Sequence, residues 1–486
     1  MQKIELKFQI PKDKRELIFK ALQRKTVQHK TLKTQYLDSK QFDLSQHSIL
    51  LKQRLENDEW LKKLQALSLK PIQLFEIDED LTSIENKNQL AHYHKIKNIP
   101  EKIQKWVTEI EAQLIVQFET EIERSTTLFN FQNSQIIVEL DRGFMHVNQA
   151  QFEIYEVKFK LKQGTIQDLI SFILPRVKRY GLWLDTRNKV QQGFQLVQNI
   201  QESPTQLQIP LNLDKSNSTE IALKKVIYNC LQHLLPNSTA IASGHFNSDH
   251  IHQVRVAIRR LRSALKTFAN WSQHIDLCWE TELTNLFRSL GRSRDLSMIH
   301  DEILPKLEML NAPKIQLEID SLDENNKISS LFKSLNFESL VLSLIQFIYQ
   351  NTNEQSSKSV KKTIHKNLDK LHQSIKLDAE NFLSLEIEAR HRTRKRLKRL
   401  RYSLEFISSL YDEHTVKGYI KRLKPAQESL GKYNDFIVAE NRLKPYAPAQ
   451  PEVWFALGWI AAEKQHLLIQ SQQDLLHFAQ AIPFWK

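Results

Sequence analysis

Up to about residue 196, apolar side chains recur at every second position in several short runs. This is the period of strands whose two faces meet different surroundings. The runs cover 3–10, 48–55, 114–124, 134–141 and 152–162, and helical spacing intervenes at 13–24 and 166–180. The face opposite each apolar row is charged, so these strands line a wet interior. An antiparallel β-barrel with a polar lumen meets that requirement. Residues 201–217 carry Pro204, Pro210 and many small polar groups, the composition of a linker. Beyond them the period changes to 3.6 and predicts helices over 219–235, 249–270, 277–290, 295–311, 329–350, 358–375, 380–411, 416–431, 434–444 and 451–478. Residues 311–328 read as a loop or insertion. The expected organisation is therefore α+β: a strand-rich domain over 1–200, a linker over 201–217 and an all-α domain over 218–486.

A chain of 486 residues fits such a division. Net charge is +13, so clustering rather than total charge must indicate a partner. Two cysteines, Cys230 and Cys278, are too few for a disulfide framework and lack zinc-knuckle spacing. They suit a reducing, cytoplasmic setting. The first residues lack a signal-peptide core, and no stretch approaches the ~20 apolar residues of a membrane span. The longest candidate lies around 453–462.

Charge does cluster, and it does so twice. Eight Lys and Arg occupy the twelve positions from Arg390 to Arg401. The stretch HRTRKRLKRLRYSLEFI (391–407) aligns without gaps to HQVRVAIRRLRSALKTF (252–268). His252, Arg255, Arg259 and Arg262 match His391, Arg394, Lys398 and Arg401. At about 100° per residue, each set falls within an arc of roughly 80° and forms one stripe. SLGRSRD (289–295) then follows the first copy as SLGKYND (429–435) follows the second. A duplicated helical unit of this kind predicts a pseudo-two-fold bundle with both stripes facing one groove. A stripe about 15 Å long, rich in guanidinium forks, suits an extended polyanion better than a single phosphate. Arg392, Arg396 and Arg399 fall off the stripe and read as ordinary surface charges.

These paired motifs resemble the CHAD domain, a helical domain associated with binding inorganic polyphosphate in a basic groove between two helical halves. The resemblance covers roughly 217–486. It implies that His252, Arg255, Arg259, Arg262, His391, Arg394, Lys398 and Arg401 hold the polyanion. Arg260, Arg294, Lys395 and Tyr402 lie close to the motifs and are secondary candidates.

The strand-rich half resembles the CYTH superfamily, whose members fold as an eight-stranded antiparallel triphosphate tunnel. The matching landmarks are IELKF at the start, QYLDSKQFDL (35–44), LLKQR (50–54), FETEIER (118–124), ELDRG (139–143), YEVKFKLKQG (155–164) and RNKVQQGFQL (187–196). In that family Lys and Arg hold phosphate oxygens while Glu carboxylates hold Mg or Mn, which orients water at the attacked phosphorus. Here the acidic signature is altered. Lys3 precedes Glu5 and Lys7, and Lys158 and Lys160 follow Glu156 where the family carries acids. Ile137 and Gln192 replace a Glu and an Arg. An ammonium group repels the cation it displaces, so hydrolysis is expected to be weak or lost, with no cofactor. Mg or Mn, with Glu5 and Glu156 as ligands, belongs only to a chain that retains triphosphatase activity. The lumen is expected to take an anion on Lys3, Lys7, Lys52, Arg54, Lys158, Lys160, Lys162 and Lys189. In a competing arrangement Glu119, Glu121 and Glu123 pair with the new lysines and the tunnel is a salt-bridged structural core.

The leading expectation is a cytoplasmic inorganic polyphosphate-binding protein, its polyanion held in the helical groove beside a degenerate tunnel. The alternative is a Mg-dependent inorganic triphosphatase acting on tripolyphosphate, with Glu5, Glu76, Asp78, Glu139, Asp141 and Glu156 as surviving acids. A nonspecific nucleic-acid binder is a third class, but no RNP-like, helix-turn-helix or aromatic stacking pattern favours it.

Overall fold

The computed structural model describes residues 4–23, 27–56, 59–66, 86–87, 101–317, 321–351 and 359–485. The chain forms two compact units. The first is Met1–Pro204 with Thr239–Phe246 and Ser330–Gln346; the second is Thr205–Ser238, Asn247–Ser329 and Phe347–Lys486.

The first unit is built on one antiparallel sheet. Its strands are β1 (Glu5–Gln9), β2 (Gln28–Asp38), β3 (Ile49–Glu56), β4 (Glu59–Ala66), β5 (Asn86–Lys87), β6 (Ile115–Phe131), β7 (Ser134–Val147), β8 (Ala150–Gln163) and β9 (Trp183–Leu184). Among the described residues their order is β5-β4-β3-β2-β6-β7-β8-β1-β9. Strands β2 and β4 escape the alternation test because β2 buries a threonine, Thr34, between Leu32 and Tyr36, and β4 carries its apolar residues as a doublet, Trp60–Leu61. The unit's helices are α1 (Arg15–Gln23), α2 (Asp43–Gln46), α3 (Glu101–Glu109), α4 (Ile166–Tyr180) and α5 (Lys189–Val197). Helix α4 begins at Thr165, whose side chain accepts from Asp168 N, and stops at Gly181 in the left-handed region (φ 61°).

Strand parity divides the sheet into two faces. Leu6, Phe8, Val138, Leu140, Val157 and Phe159 are buried on the face that meets α4, where Phe159 and Phe172 pack edge to face. The alternate positions put Glu5 and Lys7, Glu139 and Asp141, and Glu156, Lys158 and Lys160 on the other face. The register sets Glu5 opposite Lys160 and Lys7 opposite Lys158. That face also carries a small apolar cluster of Leu32, Tyr36, Leu50, Phe118, Ile122, Met145, Val147 and Ile154, closed by Val190, Phe194 and Val197 of α5.

The remaining helices are α6 (Thr219–Ser243), α7 (Ser248–Thr267), α8 (Cys278–Ser289), α9 (Gly291–Met298), α10 (Leu304–Met309), α11 (Ser321–Leu331), α12 (Leu335–Tyr349), α13 (Val360–Glu380), α14 (Ile387–Ile407), α15 (Glu413–Leu443) and α16 (Val453–Ala479). Several differ from the expected spans: the expected 295–311 helix is divided between α9 and α10, and α14 is shorter than the expected 380–411. Helix α6 continues through Pro236, and α15 runs unbroken across Pro425 and Gly431 where two helices were expected. Part of the expected loop 311–328 belongs to α11. Packing of an apolar stripe outweighs a single breaker when buried residues continue on both sides of it. The segment Glu324–Tyr349 reaches the length and mean hydropathy (1.3) of a membrane span, which the expectation for 453–462 overlooked. Half of its most apolar 18-residue stretch is buried inside the protein, with Val341, Leu344 and Ile345 in the core.

Candidate functional site: two cationic cavities

The charged face of the sheet borders a cavity of about 310 Å³. Glu5, Lys7, Arg54, Glu156, Lys158 and Lys189 line it, together with Arg124, Asp185 and Arg187, which sequence reasoning did not single out. Helix α5 delivers Lys189 through a capping box, in which Asn188 accepts from Gln191 N and the Gln191 side chain accepts from Asn188 N. Lys189 then donates to Asp141 (3.0 Å) and to Glu156.

Most of these cations are paired with acids. Arg124 binds Asp141 through Nε (2.6 Å) and Nη2 (2.8 Å), and its Nη1 lies 3.1 Å from Glu139. Lys160 bridges Glu139 (2.9 Å) and Glu5 (3.2 Å). Lys158 lies within 4.0 Å of Glu5, Asp141 and Glu156, and Lys7 within 3.9 Å of Glu156 and Asp185. Burial raises the Asp141 pKa, but the Arg124 hydrogen bonds and the Lys189 and Lys158 charges outweigh it and hold the carboxyl well below its usual range. Burial and the neighbouring Lys189 charge lower Lys158, whereas Glu156 and Asp141 outweigh burial and raise Lys189.

Salt-bridge pairing is thus present, but with other acids than expected. Glu119, Glu121 and Glu123 occupy the opposite parity of β6 and point away from the cavity, with Glu119 pairing with Lys33 (3.0 Å) and Glu123 with Arg142. The one-residue offset that places Arg124 inward sends the three glutamates outward. Lys162 is exposed near the end of β8, and Lys52 and Lys160 do not line the cavity. Lys3, Glu76 and Asp78 lie outside the described residues. Of the acids named as metal ligands for an active chain, Glu5 and Glu156 are, like Glu139 and Asp141, engaged by Lys or Arg. Among the described residues no group of three His, Cys, Asp or Glu is placed to hold a metal ion.

The second cavity lies between α7 and α14 and measures about 430 Å³. Both helices arise from sequences whose apolar stripe is buried, through Val254, Ile258 and Leu261 on α7 and Leu397, Leu400 and Leu404 on α14. The polar stripes border the cavity. Arg259, Arg262, Ser263 and Lys266 come from α7, and His391, Arg392, Arg394, Lys395, Arg396, Lys398, Arg399 and Tyr402 from α14, with Phe287 of α8 completing the wall. Nine of these thirteen are Lys or Arg, and none is acidic.

Five of the eight residues taken from the repeat therefore meet here: Arg259, Arg262, His391, Arg394 and Lys398. Three do not. Arg255 donates to Leu290 O (2.6 Å) and stacks on Phe287, Arg401 is paired with Glu405 (2.7 Å), and His252 lies outside the lining. Arg392, Arg396 and Arg399, expected as ordinary surface charges, line the cavity. On α14 the lining spans about 200° of the helix circumference, far wider than the expected stripe. The reason is tertiary: flanking helices set how much of α14 borders the cavity, and Asp378 of α13 holds Arg396 in place (2.5 Å). Of the secondary candidates, Lys395 and Tyr402 line the cavity and Arg260 is buried against Asn229 and Phe406. The Arg294 side chain lies outside the described residues.

The second repeat motif proves to be a positioning element. Asn434 Oδ1 meets His391 Nδ1 at 3.0 Å, and Asp435 lies 3.7 Å from Arg394. Acidic relief inside the groove is sparse. Burial, followed by the charges of Arg394 and Arg259, drives Lys398 well below the usual lysine range. Burial likewise lowers Arg394, Lys395, Arg399 and His391. The Nε–H groups of Arg259, Arg262, Arg394 and Arg399 are buried and donate to no acceptor among the described residues.

The antiparallel sheet unit and the helical unit thus each hold a cationic cavity. Residues 225–444 match the CHAD domain family, and the chain carries a CHAD domain there. A stretch of 79 residues, 16% of this chain, is 30% identical to an inorganic triphosphatase of Haemophilus influenzae and spans about a fifth (22%) of that relative's length. The crystal structure of a CHAD domain from the plant Ricinus communis is 27% identical, covering 56% of this chain and 96% of that one at a TM-score of 0.48. A Hippeastrum adenylyl cyclase with a dominant triphosphatase activity is 14% identical, covering 41% and 96% at a TM-score of 0.28.

Proposed function

We propose that the groove between α7 and α14 binds inorganic polyphosphate in the cytoplasm, and that the sheet domain does not hydrolyse triphosphate efficiently. The observation that carries the first part is the wall of nine cations without one carboxylate. Like charges held together in partly desolvated surroundings are unfavourable until counter-charge arrives. Guanidinium forks with undonated N–H groups suit phosphate oxygens, and a wall shared by two helices suits several phosphates in a row. The two thiols, Cys230 and Cys278, are free, in keeping with a reducing compartment. In the sheet domain, the ion pairs on Glu5, Asp141 and Glu156 support loss of the metal-dependent step.

Long-chain polyphosphate is expected to bind the full-length protein tightly, with affinity falling steeply as salt rises. Replacing Arg394 and Lys398 together by Glu should weaken it by more than about tenfold. Arg401→Ala should leave binding nearly unchanged, because Arg401 is turned to Glu405. Equal affinity for a random RNA of matched charge would sink the selectivity for polyphosphate. The second reading, a Mg-dependent inorganic triphosphatase using Glu5 and Glu156, is favoured by the 79-residue likeness to a triphosphatase. Phosphate release from tripolyphosphate with Mg²⁺ at about 1 s⁻¹ or faster would establish it against the first.

A further inference from the structure

A third cavity, of about 360 Å³, lies between α14 and α15 and shares His391, Arg394 and Lys395 with the cationic groove. Its far wall differs in kind. Leu430, Ile437 and Val438 of α15 stand at spacings that bring them to one helix face, beside Tyr433. Asn434 and Asn441 add two amides, and Ile387, Glu388 and Arg390 of α14 complete the lining, with the Glu388 charge acting on Lys395 and His391. The Tyr433 hydroxyl is occupied by Arg390 Nη1 (2.9 Å), so this ring offers its apolar surface. Asn434 spends its Oδ1 on His391 and keeps its amide N–H₂ to donate. Cations at one end, aliphatic walls beyond them and amides at the margin are not what a uniform chain of phosphates requires. An unsubstituted polyphosphate leaves the aliphatic wall without a partner.

We propose that this annex receives the base of a nucleoside 5′-polyphosphate whose phosphates lie on Arg394, Lys395 and the adjoining groove. The proposal rests on the reading of the groove as a phosphate site. The cavity is of the size of small-molecule pockets and joins an apolar slot to a few placed polar groups, the general pattern of such sites. The aliphatic side chains cover the faces of the base, and the Asn434 amide N–H₂, as donor, and the Asn441 amide, as donor and acceptor, meet its polar edge. His391, fixed between Asn434 and the shared rim, stands at the junction of base and phosphates.

The test compares ATP with tripolyphosphate by calorimetry on the full-length protein without divalent cations. ATP is expected to bind about tenfold tighter than tripolyphosphate, the order that burying one ring supplies. Val438→Trp fills the slot and should bring ATP down to the level of tripolyphosphate while leaving tripolyphosphate unchanged. Asn441→Leu, at an exposed position that does not endanger folding, should weaken ATP alone. Equal affinities for the two ligands, with both variants silent, overturn the annex and leave the groove standing. Failure of both ligands to bind overturns the groove and the annex together.

Discussion

Lys398 shows how one residue can carry a thermodynamic signature of function. Burial and its arginine neighbours place its folded pKa well below the 10.5 of an exposed lysine. The unfolded chain therefore binds more protons between those two values, and stability of the ligand-free protein rises with pH across that window. A bound polyanion acts in the opposite sense, returning the proton to Lys398 and to His391. Polyphosphate binding at mildly alkaline pH is thus expected to take up protons, and affinity should fall as pH rises. Calorimetry in two buffers of different ionisation heat measures this, and a heat independent of buffer contradicts it. Glu338 makes the reverse case. It is buried, accepts from Leu184 N (3.0 Å), and burial raises its pKa to about 8. Because the folded value exceeds the unfolded 4.5, stability is full below pH 4.5 and declines as pH rises toward 8. Glu338→Gln should remove most of that decline, seen as a flatter melting temperature between pH 5 and 8 in that window.

At the scale of elements, local propensity and packing pull in opposite directions at Gly193. Inside a helix, Gly→Ala ordinarily adds about 1 kcal/mol of stability. Here a Cβ would stand 2.2 Å from the Phe118 ring, which helps hold α5 over the charged cavity. Gly193→Ala is therefore expected to destabilise by roughly 1–3 kcal/mol in denaturant titration, the cost of overpacking. A stabilised variant would show that α5 shifts freely. Helices α7 and α14 illustrate a different lesson: their near-identical charge spacing leads to unequal roles. Arg255 of the first copy is spent on Leu290 O and Phe287, whereas its counterpart Arg394 enters the groove beside Asp435. Duplication supplies the helices, but each helix is oriented by its own neighbours.

For the whole molecule, the two cavities differ in charge balance as well as in cation number, with six Lys and Arg lining the sheet cavity and nine the groove. Lys7, Arg124, Lys158, Arg187 and Lys189 of the sheet cavity, with Lys160 beside it, are paired with Glu5, Glu139, Asp141, Glu156 and Asp185, a largely compensated network. The groove's acids are peripheral: Glu280, Asp378 and Asp435, with Glu388 acting on Lys395 and His391. Stabilisation by ligand follows the uncompensated site, since a ligand adds stability in proportion to the logarithm of its excess over Kd. Tripolyphosphate or longer chains should raise the melting temperature of the full-length protein. The rise should vanish when Arg394 and Lys398 are both Glu, and persist when Lys158, which lines the sheet cavity, is Met. Loss of the rise in the Lys158 variant would relocate the anion to the sheet.

The sequence by itself determined the change from period two to period 3.6, the repeated basic helices and the parity that lines one sheet face with charge. Each follows from spacing along a single element, which strand and helix geometry impose on any neighbours. Tertiary structure alone decided which charges remain uncompensated. Arg401 and Arg255 left the groove because Glu405 and Leu290 O stand within reach. Arg392, Arg396 and Arg399 joined it because packing exposes a wider arc of α14. Arg124 entered the sheet cavity because β6 places it inward, opposite Asp141 on β7. Pairing of charges is a property of distance in space, set by packing between elements, and spacing within one element does not encode it.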